Sequence, residues 1–158
     1  MASDITLDLN NPYELNIPES IQIKDWLLKI SSQLDIKKMS VSFYITTPME
    51  IQEINLKYRK KNKPTNVLSF PYENIIQFND EEIDCFIGDI ILCPNIIEQE
   101  SIEQNKKLID HWAHITIHGI LHLLGYDHII CSDAEQMERL EIEILESLHI
   151  ENPYREEQ

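Results

Sequence analysis

Five of the six histidines of this chain fall between His111 and His128, and three of them keep the register His118-x3-His122-x2-Gly125-x2-His128. Residues four apart on a helix project from one face, so His118 and His122 require a helix that presents two imidazoles side by side. Gly125 stands where such a helix would end through a left-handed residue, a conformation that a side chain disfavours, and the chain then folds back to bring His128 toward the other two. The chain holds only three glycines, Gly88, Gly119 and Gly125, and two lie inside this motif. The segment thus predicts one long helix from Lys106 to Leu124, a tight turn after it, and a central place for both. Ile115, Leu121 and Leu124 are expected core positions, with Trp112 packing near the helix start.

Three neutral imidazoles leave the fourth position of a tetrahedral zinc open to water, the arrangement of a catalytic rather than a structural metal. His118, His122 and His128 are therefore the candidate ligands of one Zn2+ per chain. Metzincin proteases share the spacing, but their motif begins His-Glu-x-x-His and uses the glutamate as general base. Here Gly119 holds that place and cannot accept a proton, which disfavours peptidase chemistry. His114, one turn before His118 on the same face, reads first as a core or supporting residue. Cys131 reads as an ordinary half-buried residue rather than a ligand.

The rest of the chain supplies a frame. Ile5, Leu7 and Leu9 alternate with polar neighbours, as do Val41, Phe43 and Ile45, which is the period of half-buried strands. Between them a helix starts near Pro18-Glu19-Ser20, carries Ile23, Trp26, Leu27, Ile30 and Leu34, and ends before Met39. Thr47-Pro48-Met49-Glu50 is a capping box with proline at the first helical position, opening a helix through Ile51, Ile54 and Tyr58. Pro64 stops it, and Val67 to Pro71 reads as a short strand, with a surface loop from Glu73 to Asp84. Cys85 to Leu92 reads as a strand, Pro94 opens a short helix over Ile96 to Gln104, and Ser132-Asp133-Ala134-Glu135 caps a last helix whose apolar face is Met137, Leu140, Ile144, Leu145 and Leu148. The order predicts an α+β fold: a single mixed sheet of about four strands packed with about five helices, the zinc site lying on a central helix and the turn after it. Residues 1–150 are expected to form one domain, with 151–158 as a charged C-terminal tail that frays.

No apolar stretch is long enough to cross a bilayer, and Met1 to Asn10 lacks a signal sequence, so a soluble, unexported protein is expected. Cys85, Cys93 and Cys131 are odd in number and lack Cys-x-x-Cys spacing, which argues against a disulfide framework and fits a reducing cytoplasm. The formal charge of −15 speaks against nucleic acid until its distribution is considered. From Asp133 to Gln158 there are nine acidic and two basic residues, whereas Lys57 to Lys63 holds five basic residues and no acid. On pattern alone that basic run is a solvated helix end favoured by the helix dipole.

The zinc segment His118-Gly119-Ile120-Leu121-His122-Leu123-Leu124-Gly125-Tyr126-Asp127-His128, together with Arg59 followed by Lys63-Pro64-Thr65-Asn66-Val67-Leu68-Ser69-Phe70-Pro71, resembles the bacterial YbeY family of endoribonucleases. Gly88-Asp89-Ile90 and His111-Trp112-Ala113-His114 extend the likeness over roughly Tyr58 to Glu138, and the first fifty residues add little. The resemblance implies a zinc-dependent, single-strand-specific endoribonuclease in ribosomal RNA processing, notably at the 3′ end of the small-subunit 16S rRNA, and in ribosome quality control. It implies single-stranded rRNA and the small ribosomal subunit as partners; a ribosome-associated GTPase is a further expected partner, and neither membrane nor DNA is expected as one. It matches His118, His122 and His128 to the zinc ligands and Arg59 to the essential arginine, beside a zinc-bound water. Arg59 then reads as a phosphate clamp, and Lys57, Lys60, Lys61 and Lys63 as helpers in holding RNA. No protein general base is assigned; Asp127 is a candidate, although orientation of a ligand histidine is favoured for it. Two rivals are a non-catalytic, zinc-stabilised ribosome assembly factor and a peptide or small-molecule metallohydrolase.

Overall fold

A computed structural model describes residues 4–72, 86–126 and 131–154, with the side chains of 131–133 left out. The elements run β1 (Asp4–Asn10), α1 (Ser20–Gln33), β2 (Lys38–Ile45), α2 (Pro48–Arg59), β3 (Val67–Pro71), β4 (Phe86–Leu92), α3 (Pro94–Glu103), α4 (Leu108–Leu123) and α5 (Cys131–Ser147). The four strands make one mixed sheet in the order β1-β2-β4-β3, with β1, β2 and β4 parallel and β3 antiparallel to β4. This is the expected α+β architecture, and among the described residues no helix is long and apolar enough to cross a membrane.

Alternation does what the sequence pattern promised. Along β2, Met39, Val41, Phe43 and Ile45 are fully buried and meet Ile23, Trp26, Leu27 and Ile30 of α1 in the main core. Fully burying such a side chain stabilises the fold by about 1.5–3 kcal/mol, so this stripe alone outweighs any local propensity. A smaller core of Ile51, Leu68 and Cys93 joins α2 to β3 and β4. Burial raises the thiol pKa of Cys93 despite hydrogen bonds that lower it, while Cys85 and the side chain of Cys131 lie outside the described residues.

Helix α4 is buried on nearly every side, from His111 and Trp112 to Leu121 and Leu123, and packs against β3, β4, α1, α3 and α5. Leu124 is half-buried against the core rather than fully inside it. The helix ends in a Schellman motif: Gly125 has φ +102°, its N–H donates to His122 O at 3.1 Å, and the Tyr126 N–H donates to Leu121 O at 3.0 Å. The glycine therefore does what its position in the sequence implied.

Two local readings need correction. The capping box of α2 is only half formed: the Glu50 N–H donates to Thr47 Oγ1 at 3.3 Å, but the Glu50 carboxylate turns away to accept from the hydroxyls of Thr46, Tyr44 and Tyr13. Three hydroxyls solvate a carboxylate better than one backbone N–H, and they lower its pKa with Thr46 contributing most. The last helix begins at Cys131, so Ser132 sits in its first turn rather than ahead of it.

Candidate metal and RNA site

The sequence-predicted residues come from two ends of the fold. Thr47 starts α2 and Arg59 ends it, after which Lys60 turns through the left-handed region with φ +61° and its N–H donates to Leu56 O at 3.1 Å. The buried Asn55 amide donates to Lys63 O at 2.9 Å and so fixes the segment that leaves the helix. That segment delivers Thr65 and Asn66 to β3. Because strand side chains alternate, Leu68 and Phe70 face the smaller core whereas Val67, Ser69 and Pro71 face the side where α4 lies.

The two groups meet at a cleft of about 450 Å³ whose lining includes Arg59, Ser69, His118, His122 and Tyr126. Of the basic run, only Arg59 is among the described residues that line it; Lys57, Lys60, Lys61 and Lys63 are exposed outside it. The candidates Asp127 and His128 lie outside the described residues.

His118 and His122 turn their Nε2 atoms toward one another at 3.1 Å. Two imidazole nitrogens on one tetrahedral zinc stand about 3.3 Å apart, from Zn–N bonds of about 2.0–2.1 Å. The pair therefore fits a shared ion. On the other side of the ring, His118 Nδ1 lies 2.5 Å from Glu141 Oε1, and Glu141 is wholly buried. The Tyr154 hydroxyl donates to Glu141 Oε2. Burial pushes the Glu141 carboxyl up, but hydrogen bonding and charge from His118, together with the Tyr154 hydroxyl, outweigh it and leave the pKa below the ordinary carboxylate value.

Neither Glu141 nor Tyr154 was picked out from the sequence. A signal was present for Glu141: it stands four residues after Met137 and four before Leu145, inside the apolar stripe of α5, where an acid is costly unless partnered. Tyr154 carried none, since it follows the helix in a charged stretch.

Gly119 explains itself by packing. A Cβ there would lie 3.2 Å from both Ile90 Cδ1 and Val67 Cγ2, and the Ser69 hydroxyl donates to Gly119 O at 3.1 Å. The position faces the sheet, so the glutamate that proteases carry there would be driven into β3 and β4 rather than aimed at the imidazole pair.

His114 and His111 support the helix. His114 Nε2 lies 3.3 Å from Tyr154 Oη and 4.0 Å from Glu141 Oε2, which suits the supporting role expected of it. His111 Nε2 lies 2.9 Å from Glu100 Oε1, and Glu100 also accepts from the Asn66 amide at 2.9 Å, tying α4 through α3 to the segment before β3. Burial pushes the His114 imidazole down to about 4. Unfolded, that ring takes up a proton near pH 6.5; folded, it does so only near pH 4, so acid favours the unfolded chain across that window. Stability of the metal-free protein should therefore fall by up to about 3 kcal/mol from this group as pH drops from 7 to 4. Denaturant midpoints at several pH values test this: His114→Phe should flatten the slope, and an unchanged slope would refute it.

Comparison with known proteins fits the same frame. The solution structure of TM1509 from Thermotoga maritima superposes with a TM-score of 0.56 at 26% identity, covering 92% of this chain and 91% of that one. The family model described as Endoribonuclease YbeY matches residues 10–149. Proteins named Endoribonuclease YbeY from Buchnera aphidicola and Francisella philomiragia are 48% and 42% identical, covering 88% and 98% of this chain and 86% and 98% of theirs. Fold and likeness together define the class, an RNA-cleaving hydrolase of the endonuclease type. The chain belongs to the YbeY family of endoribonucleases.

Proposed function

We propose that this chain is a zinc-dependent endoribonuclease specific for single-stranded RNA, acting in the cytoplasm on ribosomal RNA. Its work would be maturation of the 16S rRNA 3′ end and ribosome quality control, carried out on the small subunit with a ribosome-associated GTPase as a further partner. The observation that carries the reading is that Arg59 opens on the same cleft as the imidazole pair of His118 and His122. With His128 as third ligand, these residues would hold the metal, which when bound supplies a Lewis acid and a water of lowered pKa.

The chain's own residues do the rest. The Arg59 guanidinium offers a planar fork of donors, which grips a phosphate through two oxygens and steadies the charge that grows on it during cleavage. Lys57, Lys60, Lys61 and Lys63 draw the polyanion to this end of a molecule whose net charge of −15 would otherwise repel it, so binding should weaken steeply with salt. No protein group is assigned as general base; Asp127 is a candidate, and orientation of a ligand histidine is the role favoured for it.

Arg59→Glu tests the reading, because Arg59 is exposed at a helix end and its loss leaves the core untouched. Cleavage of a single-stranded rRNA fragment should fall by roughly 10²- to 10³-fold while zinc content and melting temperature stay at wild-type values. Undiminished cleavage by Arg59→Glu would refute the role of the arginine. Wild-type protein that binds RNA without ever cutting it would favour an assembly factor.

A further inference from the structure

We infer that Glu141, itself held by Tyr154, is a positioning residue for the metal-binding ring of His118, so that the segment after α5 forms part of the site. The inference rests on the metal reading above. A carboxylate can only accept, so the 2.5 Å contact between Glu141 Oε1 and His118 Nδ1 places the ring proton on Nδ1 and leaves the Nε2 lone pair directed toward His122. A histidine locked in that tautomer is a more basic ligand whose ring no longer has to be oriented when the ion arrives.

The placement of Glu141 argues that this is its purpose. Its side chain is wholly inaccessible, and its helix neighbours Met137, Ile144 and Leu145 are buried apolar residues. An apolar residue would continue that stripe without the cost of burying a charge. The carboxylate instead has both oxygens engaged, one by His118 and the other by the Tyr154 hydroxyl. Tyr154 is brought back by a short turn, its N–H donating to Asn152 Oδ1 at 2.8 Å, and its ring meets His114 edge-on with centroids 5.5 Å apart. Thirteen residues beyond Glu141, the chain thus returns to brace it.

The test uses the full-length protein, stripped of metal and titrated with Zn2+ against a chromogenic chelator, at a temperature where circular dichroism shows every variant folded. Glu141→Gln keeps the shape but removes the charge, and should bind Zn2+ about 10- to 100-fold more weakly. Tyr154→Phe, which removes one hydroxyl from a partly exposed ring, should weaken binding by a smaller factor. Long-range proton–nitrogen NMR of the metal-free wild type should find His118 protonated on Nδ1, a preference that Glu141→Gln loosens. A side chain that only stabilised the fold would lower the melting temperature and move neither readout. Wild-type affinity in Glu141→Gln, or an Nε2-protonated His118 in the wild type, would overturn the inference. Should Glu141→Gln fail to fold, Tyr154→Phe decides: unchanged affinity and tautomer overturn it. A wild type that takes up no Zn2+ removes the metal reading as well, whereas a zinc-binding wild type with unaffected variants sinks this inference alone.

Discussion

Replacing both His118 and His122 with alanine should abolish zinc binding and reduce cleavage of single-stranded rRNA by about 10³-fold or more, with the fold preserved. The magnitude follows from what a bound metal contributes: several kcal/mol of charge stabilisation, each 1.36 kcal/mol being tenfold in rate. Preservation of the fold follows from position, since both rings line the cleft and are only half-buried, whereas the packing of α4 rests on Ile117, Ile120 and Leu121. Stripping metal from the wild type should reproduce the loss, and added Zn2+ should restore the wild type but not the double variant. The measurement is metal content and RNA cleavage on parallel preparations. Cleavage that persists in a zinc-free variant would mean that the metal is structural, or that the nuclease activity belongs to another site.

Gly88→Ala should be severely damaging, costing about 4 kcal/mol or more and lowering the melting temperature by more than about 10 °C. Gly88 has φ +141°, and a Cβ there would meet the Phe70 carbonyl oxygen at 2.4 Å, Leu123 Cδ2 at 2.9 Å and Pro71 Cα at 3.0 Å. Two of those atoms belong to the backbone of β3, which cannot step aside without breaking its ladder to β4. Gly125→Ala is the useful contrast. Its φ of +102° is also unfavourable, but among the described residues nothing lies within 4 Å of a Cβ placed there, so the conformational cost of about 1–2 kcal/mol is the one that applies. Denaturant titration of both variants separates the two effects. Equal losses would show that the crowding at Gly88 is relieved by movement of β3. Because Pro71 and Ser69 also line the cleft, the Gly88 variant should lose activity along with stability.

Much of this architecture was readable residue by residue. The alternation of Val41, Phe43 and Ile45 marked β2, proline and threonine marked the start of α2, and the helical spacing of His118 and His122 with Gly125 after them marked α4 and its end. These are local effects, set by periods of two and 3.6 residues and by the few residues that tolerate a cap or a left-handed turn. Where a side chain had a choice of distant partners, local reasoning gave the wrong one. Glu50 fits a capping box by spacing, yet the hydroxyls of Thr46, Tyr44 and Tyr13, none of them in the Thr47–Glu50 box, outcompete the backbone N–H.

Sequence by itself therefore determined the elements, the imidazole pair on one helix face, the basic end of α2 and the family to which both point. Only the tertiary structure decided that Arg59 shares a cleft with His118 and His122, that Gly119 is a packing requirement of α4 against the sheet, and that Glu141 and Tyr154 stand behind the first histidine. The physical reason is range. Periodicity and capping act within one turn or one strand, whereas a buried carboxylate 23 residues from its imidazole, braced by a hydroxyl 13 residues farther on, exists only once packing has brought the three together.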